Sequence, residues 1–269
     1  MRSFLKIVGL SCILLVVAGI CLSSTTLINT KVSEISSIEL TSDNMVMLRG
    51  EVNEESINAA SISLFEQNKK RGLKNYTIYI VLDTPGGSID AGLAFIEFAK
   101  TFKNVETLTI FAASMGSAIV EHLPGKRNII STGTLMFHRA AGGVQGQFED
   151  GELESRLEYY KKIVRSMEQT NSNRMKISLS DYKSKVKDEL WIYGVDAVNT
   201  SSADAIVTVS CSSELVAEKD ILNISIMGFM TIPVEFSRCP LLKGGQVKGD
   251  QKAKNAYNQY LKDSNWGTK

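Results

Sequence analysis

The chain has 269 residues, of which 43% are hydrophobic and 22% charged, so it is long enough to bury the core of one large domain. Its formal net charge is +1, and its basic residues are interleaved with acidic ones along the sequence. This composition excludes a largely disordered chain and gives no basic surface for a nucleic-acid partner, so none is expected.

The N-terminus has the layout of a secretory signal peptide or a membrane anchor. Arg2 and Lys6 precede an uncharged apolar run over residues 7–22, which is long for a signal core and short for a full membrane span. We therefore expect residues 1–24 to be either cleaved near Ser23 or kept as an anchor. Either outcome predicts an exported protein, which would be periplasmic or membrane-anchored. Residues 25–44 are predicted to form a polar linker.

Two cysteines fall outside this apolar run. Cys211 and Cys239 are an even pair, which predicts one disulfide in an oxidising compartment and two free thiols in a reducing one. Neither cysteine has a second cysteine or a histidine at metal-ligand spacing, so we expect no metal site and no cofactor.

Strand-like and helix-like patterns alternate through the middle of the chain. Strand-like stretches cover residues 45–48, 76–82, 105–112 and 128–137. Three helical patterns lie between them: one begins at residue 54, one begins after Ser88, and one ends at His122. This alternation predicts a layered α/β fold with parallel strands. In such folds the chemistry collects beyond the carboxyl ends of the strands.

Three features stand where these strands end. Gly86 and Gly87 form a turn after one strand, Ser114 opens the helical segment after the next, and His138 closes a third. Together they suggest an oxyanion hole, a nucleophile and a general base. Taken singly, Ser114 also fits a helix cap, which is the commoner role of such a serine, and the glycines fit a tight turn. His122 reads as a structural or surface residue.

These segments resemble one known family. The stretches LDTPGGSIDAG, AASMGSA, GTLMFHRAAGGVQGQ and ELWIYGVDAVNTSSADAI look like the corresponding parts of the proteolytic subunit of the Clp protease. The resemblance implies a Clp/crotonase-like fold of repeated β-β-α layers over residues 45–209, a serine peptidase domain. It leaves residues 210–269 as a C-terminal extension.

The resemblance also implies roles for individual residues. Ser114 would be the nucleophile and His138 the general base, with the N–H groups of Gly87 and Met115 facing the oxyanion. An extended substrate would pair its backbone with the segment that contains Gly86, Ser88 and Ile89, and with the loop after His138.

The third member of the triad departs from the family pattern. The family's aspartate stands two residues before an aromatic residue, matched here to Trp191, which puts Glu189 at its position. Asp188 is the alternative. Both also fit a solvated helix face with no catalytic role.

Two further segments bear on assembly and on the extension. Residues 152–174 carry apolar residues at helical spacing, and in the family this helix lies at the contact between rings. We therefore expect a homo-oligomer, with heptameric rings as what the family implies. In the extension, residues 221–234 predict strands held by Cys211 and Cys239, and residues 243–269 a solvated, partly disordered tail.

The resulting hypothesis is a serine endopeptidase that cleaves peptides or unfolded protein segments through an acyl-enzyme on Ser114. Because an exported protein would lack a cytoplasmic unfoldase, we expect it to act without ATP. Two alternatives stay open, which are a catalytically impaired scaffold or assembly protein of the same fold and a crotonase-type acyl-CoA enzyme.

Overall fold

The computed structural model of the protein describes residues 36–72, 76–140, 149, 151–226 and 230–263. The predicted signal peptide or anchor, residues 1–24, lies outside these ranges, as does most of the loop after His138. Within the described ranges, no helix is both long enough and apolar enough to cross a membrane.

The central sheet orders its strands β1-β7-β5-β4-β3-β2. Their bounds are β1 Ser36–Leu40, β2 Met45–Val52, β3 Ile78–Gly87, β4 Val105–Ala113, β5 Arg127–Phe137, β6 Leu190–Tyr193 and β7 Ala205–Cys211. All neighbours along this path are parallel, and β6 joins as an antiparallel partner of the second half of β5. The predicted α/β fold with a mostly parallel sheet is thus observed.

Helices connect these strands. Their bounds are α1 Glu54–Arg71, α2 Ile89–Ala99, α3 Met115–His122, α4 Glu152–Arg174, α5 Leu179–Lys185, α6 Val195–Asn199 and α7 Ser213–Ala217. Local sequence fixes where they begin. At α1, for example, the Asn53 side chain accepts from the Ser56 N–H and the Ser56 hydroxyl accepts in return from the Asn53 N–H.

The sheet is buried on both faces, which explains the continuous apolar run in β3. Successive side chains of a strand point to opposite faces. Accordingly, Ile80 and Leu82 enter one apolar cluster with α1, α2 and α3, whereas Val81 enters a second cluster with β1 and β7. Each of these three side chains is completely buried.

The described part of the predicted linker contains a strand. Residues 36–40 form β1, which pairs with β7 because Ile38 and Leu40 alternate into the second cluster. A five-residue strand with only two buried residues carries a weak periodic signal, which is why the sequence alone suggested a linker.

The C-terminal extension forms its own antiparallel sheet. Strands β8 Lys219–Ile226, β9 Met230–Ser237 and β10 Gln246–Val247 pair in the order β10-β9-β8, as the apolar patch predicted. The sequence predicted a solvated, partly disordered tail over residues 243–269. Within it the structure forms α8, Gln251–Asp263, which is largely exposed but buries Tyr257 among Ile226, Ile232 and Val234. Cys211 and Cys239 form a disulfide that links β7 to this extension.

The three central strands bring the candidate residues together. Strands β3, β4 and β5 are adjacent and parallel, and their carboxyl ends carry the Gly86–Gly87 turn, Ser114 and His138 respectively. The topology therefore places all three features at one edge of the sheet.

Candidate active site

Ser114 occupies a sharp turn between β4 and α3. Its backbone has a φ of +54°, an unusual conformation for a residue with a side chain, and its N–H donates to the Met136 carbonyl at 2.9 Å. The side chain makes no capping hydrogen bond to α3. The capping interpretation of Ser114 therefore does not describe this serine, whose hydroxyl is turned towards another partner.

That partner is His138. The Nε2 atom of His138 lies 2.6 Å from Ser114 Oγ, which is hydrogen-bond distance between a hydroxyl and an imidazole. The strand register produces this pairing, because Ala113 of β4 pairs with Met136 of β5 and both chains then leave the sheet side by side. The pair has the geometry in which an imidazole removes the proton of a serine hydroxyl.

The turn at the end of β3 lies against the serine backbone. Gly86 has a φ of +90°, and a Cβ built on it would come within 2.7 Å of both Ser114 Cβ and the Met115 nitrogen. Its N–H donates to Thr84 Oγ1 at 3.1 Å, which holds the turn in place. A glycine is therefore required here both for its backbone conformation and for its small size.

Gly87 and Met115, whose N–H groups are the predicted oxyanion donors, line one cleft together with Ser114. Met115 is the first residue of α3, so its N–H has no partner within the helix. Gly87 is exposed with a φ of +147°. An oxyanion formed on a carbonyl held at Ser114 would lie beside these donors and the positive end of the α3 dipole.

This cleft has a volume of about 80 Å³ and runs from the Ser114–His138 pair to α4 and α5. Its walls are mostly apolar, and they are formed by Ile89, Met115, Ala118, Phe137, Val164 and Met167. Three polar residues also line it, Glu168, Asn171 and Tyr182, which we call the polar end of the cleft. Glu168 and Asn171 are one turn apart on α4, and Asn171 Nδ2 donates to the Tyr182 hydroxyl. Burial raises the pKa of Tyr182 to about 12, so its hydroxyl stays protonated at neutral pH.

Among the residues that the structure describes, no carboxylate is hydrogen-bonded to His138. The Glu189 carboxylate is exposed, and its Oε2 accepts a hydrogen bond from Trp191 Nε1 at 2.8 Å. Asp188 is also exposed. Glu189 is nevertheless close in strand register, because Phe137 pairs with Leu190 and the next positions outward are His138 and Glu189.

Of the residues expected to bind substrate backbone, Ser88 is already engaged. Its N–H donates to the Val52 carbonyl at 2.7 Å, and its own carbonyl accepts from the Gly92 N–H at 3.1 Å. Ile89 is half-buried and lines the cleft, whereas Gly86 is buried in the turn. Gly87 and Ile89 are therefore better disposed than Ser88 to meet a substrate.

His122 lies at the other end of α3. Its Nδ1–H donates to the Ala118 carbonyl at 2.7 Å, and burial lowers the pKa of its imidazole. A neutral histidine bonded to its own helix fits the structural role that the sequence suggested.

Sequence reasoning missed the polar end of the cleft. Glu168 and Asn171 are three residues apart on α4 and therefore share a face with Val164 and Met167. The helical periodicity contains that signal, but nothing in it says that this face meets Tyr182 of α5 beside the serine.

Comparison with known proteins also points to the Clp protease family. The sequence model of the Clp protease family matches residues 29–210. The chain is also 26% identical over 171 residues to the ATP-dependent Clp protease proteolytic subunits of Streptococcus agalactiae serotypes V and III and of Streptococcus gordonii. Each of these matches covers 62% of this chain and 86% of the relative.

Proposed function

Because the chain belongs to the Clp protease family, we propose that it is a serine endopeptidase whose nucleophile is Ser114 and whose general base is His138. The observation that carries this proposal is the distance of 2.6 Å between His138 Nε2 and Ser114 Oγ, beside the Gly86–Gly87 turn. Its substrates are peptides or unfolded protein segments.

In the proposed reaction, Ser114 Oγ attacks the scissile carbonyl carbon as His138 Nε2 takes the hydroxyl proton. The carbonyl oxygen becomes an anion that accepts hydrogen bonds from the N–H groups of Gly87 and Met115. The intermediate collapses when His138 gives its proton to the leaving amine, which leaves an acyl group on Ser114. A water activated by the same imidazole then releases the acid and restores the serine.

Glu189 is the residue that we propose to orient His138. When Nε2 accepts from Ser114, the proton of the neutral imidazole lies on Nδ1, which needs an acceptor. The strand register supports Glu189 in this role, since it stands opposite His138 at the end of the β5·β6 ladder. A change of side-chain rotamer away from Trp191 would present its carboxylate to the imidazole.

We propose that short peptides are cleaved without nucleotide, since a peptide needs no unfolding to reach the site. The test is hydrolysis of fluorogenic peptides by the purified protein, with Ser114→Ala as the control. The expected result is turnover that is equal with and without ATP and falls about 10⁴-fold or more in the variant. Turnover that requires ATP would refute nucleotide independence, and turnover unchanged in Ser114→Ala would refute the peptidase assignment.

One observation favours a second candidate, a catalytically impaired scaffold of the same fold. The Glu189 carboxylate is bound to Trp191 and not to His138, and a triad without its acid loses most of its rate. An acyl-CoA enzyme of the crotonase type has less support, because its chemistry needs no serine hydroxyl paired with a histidine.

Self-association is proposed through the first half of α4. Leu153, Leu157 and Tyr159 expose 36%, 41% and 63% of their surface in the single chain, whereas Val164 and Met167 further along the helix line the cleft. Contact between copies would bury these apolar side chains, in a homo-oligomer that the family implies to be a ring.

Export from the cytoplasm is proposed from the disulfide between Cys211 and Cys239 and from the signal-like N-terminal sequence. Disulfides persist mainly in oxidising compartments, which supports a periplasmic or membrane-anchored location. Mass spectrometry of the protein from cell fractions, without reduction, tests both the location and the bond.

A further inference from the structure

The cleft beside Ser114 ends in an amide whose hydrogen bonding is incomplete. Asn171 is 5% exposed, and its Nδ2 donates to the Tyr182 hydroxyl at 2.9 Å. Among the described residues, its Oδ1 is buried and has no hydrogen-bond partner. A buried acceptor without a donor is unfavourable, so a ligand that supplied a donor would bind more tightly.

The position of Asn171 defines which part of a substrate would meet it. A carbonyl under attack by Ser114 Oγ would lie between that oxygen and the N–H groups of Gly87 and Met115, and these three residues line the same cleft as Asn171. The side chain of the residue that carries this carbonyl, which we call the pre-scissile residue, would then enter this cleft. Its stem would contact the apolar walls, and its tip would be the part that meets Asn171.

The charge around the cleft end argues for a neutral tip. Glu168 also lines this end, with 16% of its side chain exposed, and its Oε2 pairs with Lys183 Nζ at 3.1 Å. This carboxylate is therefore compensated from within the chain, and a substrate cation is not required to neutralise it. A second carboxylate entering the cleft would be repelled by Glu168 and would find no donor at Asn171 Oδ1.

We propose that Asn171 is a specificity-determining residue, and that the cleft selects a pre-scissile side chain with an apolar stem and a neutral N–H donor at its tip. The carboxamide of glutamine has this chemistry, with one N–H to donate to Asn171 Oδ1. Methionine has nearly the same length and shape and no donor, so it would leave Oδ1 unpaired. This inference rests on the proposed function and adds the substrate class to it.

The experiment compares two peptides that differ only in glutamine or methionine at the pre-scissile position. In the wild-type protein we expect kcat/KM to be about tenfold higher for the glutamine peptide, the effect of one buried hydrogen bond. Asn171→Leu should abolish or reverse this ratio. Asn173→Leu is the matched control, because it makes the same change at an exposed position of the same helix, and it should keep the wild-type ratio.

Binding to Ser114→Ala separates this inference from the peptidase assignment. That variant cannot form an acyl-enzyme, yet its cleft keeps Asn171, so the glutamine peptide should bind about tenfold more tightly than the methionine peptide by isothermal titration. A wild-type protein that hydrolyses neither peptide, while Ser114→Ala keeps this binding preference, would overturn the proposed reaction alone. A wild-type preference for methionine, equal use of both peptides, or a ratio unchanged by Asn171→Leu would overturn the role of Asn171.

Discussion

Trp191 Nε1 donates a hydrogen bond to Glu189 Oε2 at 2.8 Å, although Glu189 stands opposite His138 at the end of the β5·β6 ladder. Residues 189 and 191 of an extended chain point to the same face, so the indole competes with the imidazole for one carboxylate. In this conformation of the site, the Glu189 carboxylate that we propose as the acid of the triad is therefore bound to the indole and not to His138.

Replacing Trp191 with phenylalanine should release Glu189. Phenylalanine keeps an aromatic ring against Phe111, whose centroid lies 6.4 Å from that of Trp191, but it has no N–H. A lost exposed hydrogen bond is equivalent to about a few-fold in rate, so we expect kcat for a short peptide to rise by about that factor. A fall in kcat with the fold intact would contradict competition between Trp191 and His138.

Removing the charge of Glu189 tests its role directly. Glu189→Gln should lower kcat by about 10²- to 10⁴-fold, as expected when the imidazole loses its orienting acid, and should change KM little. Asp188→Asn is the control at the adjacent exposed position and should behave as the wild type. Equal kcat values for Glu189→Gln and the wild type would show that this glutamate serves only Trp191.

The steric role of Gly86 can be tested by comparison with Gly50, a glycine of similar backbone conformation. Gly86→Ala would place a methyl group within 2.7 Å of Ser114 Cβ and the Met115 nitrogen, whereas Gly50, with a φ of +81°, has no atom within 4 Å of a built Cβ. Both changes strain the backbone by about 1–3 kcal/mol, but only Gly86→Ala should abolish hydrolysis. Circular dichroism checks that both variants fold, and loss of activity in Gly50→Ala alone would contradict the steric argument.

Much of the fold and part of the site could be predicted from sequence because both depend on local patterns. The apolar run before Gly86 is a buried strand, and Ser114 and His138 follow neighbouring strands, so parallel topology brings them together. The partner of Glu189 could not be predicted, because one rotamer decides between Trp191 and His138. The packing of α4 on α5, which places Asn171 beside Tyr182, likewise depends on tertiary contacts between segments whose individual patterns are ordinary.

Asp204 predicts a pH dependence of stability. Burial acts to raise the pKa of this carboxyl, but the side chain and backbone N–H groups of Arg127, the former at 2.7 Å, hold it below its ordinary value. A lowered folded-state pKa stabilises the fold above the unfolded-state value, and that contribution is lost as the pH falls through the folded-state value. Acid should therefore weaken the wild type below about pH 4.

The variant Asp204→Asn isolates this contribution. Since 38% of the Asp204 side chain is exposed and Arg127 keeps Glu121 as a second partner at 2.5 Å, we expect a loss of about 1–2 kcal/mol in the free energy of unfolding at pH 7. Urea unfolding at pH 7 and pH 3 measures it, and the difference between variant and wild type should shrink at pH 3. A difference that grows in acid would contradict the direction of the pKa shift.

The disulfide should stabilise the junction between the central domain and its extension. Cys211 and Cys239 are 28 residues apart in sequence, and closing a loop of that size contributes about 3.6 kcal/mol in the chain-entropy model. A reductant should lower the unfolding midpoint of the wild type to that of the Cys211→Ala/Cys239→Ala variant, whose own midpoint should not respond. A wild-type midpoint insensitive to reductant would mean that the bond adds no stability.

Covalent labelling of the folded protein with a fluorophosphonate, followed by peptide mapping, tests the proposed roles of Ser114 and His138 most directly. Attack on phosphorus needs the same activated hydroxyl as attack on a peptide carbonyl, so we expect one adduct, on Ser114, formed much more slowly in His138→Gln and absent in Ser114→Ala. A folded protein that stays unlabelled at Ser114, or that labels there equally fast without the His138 imidazole, would contradict it.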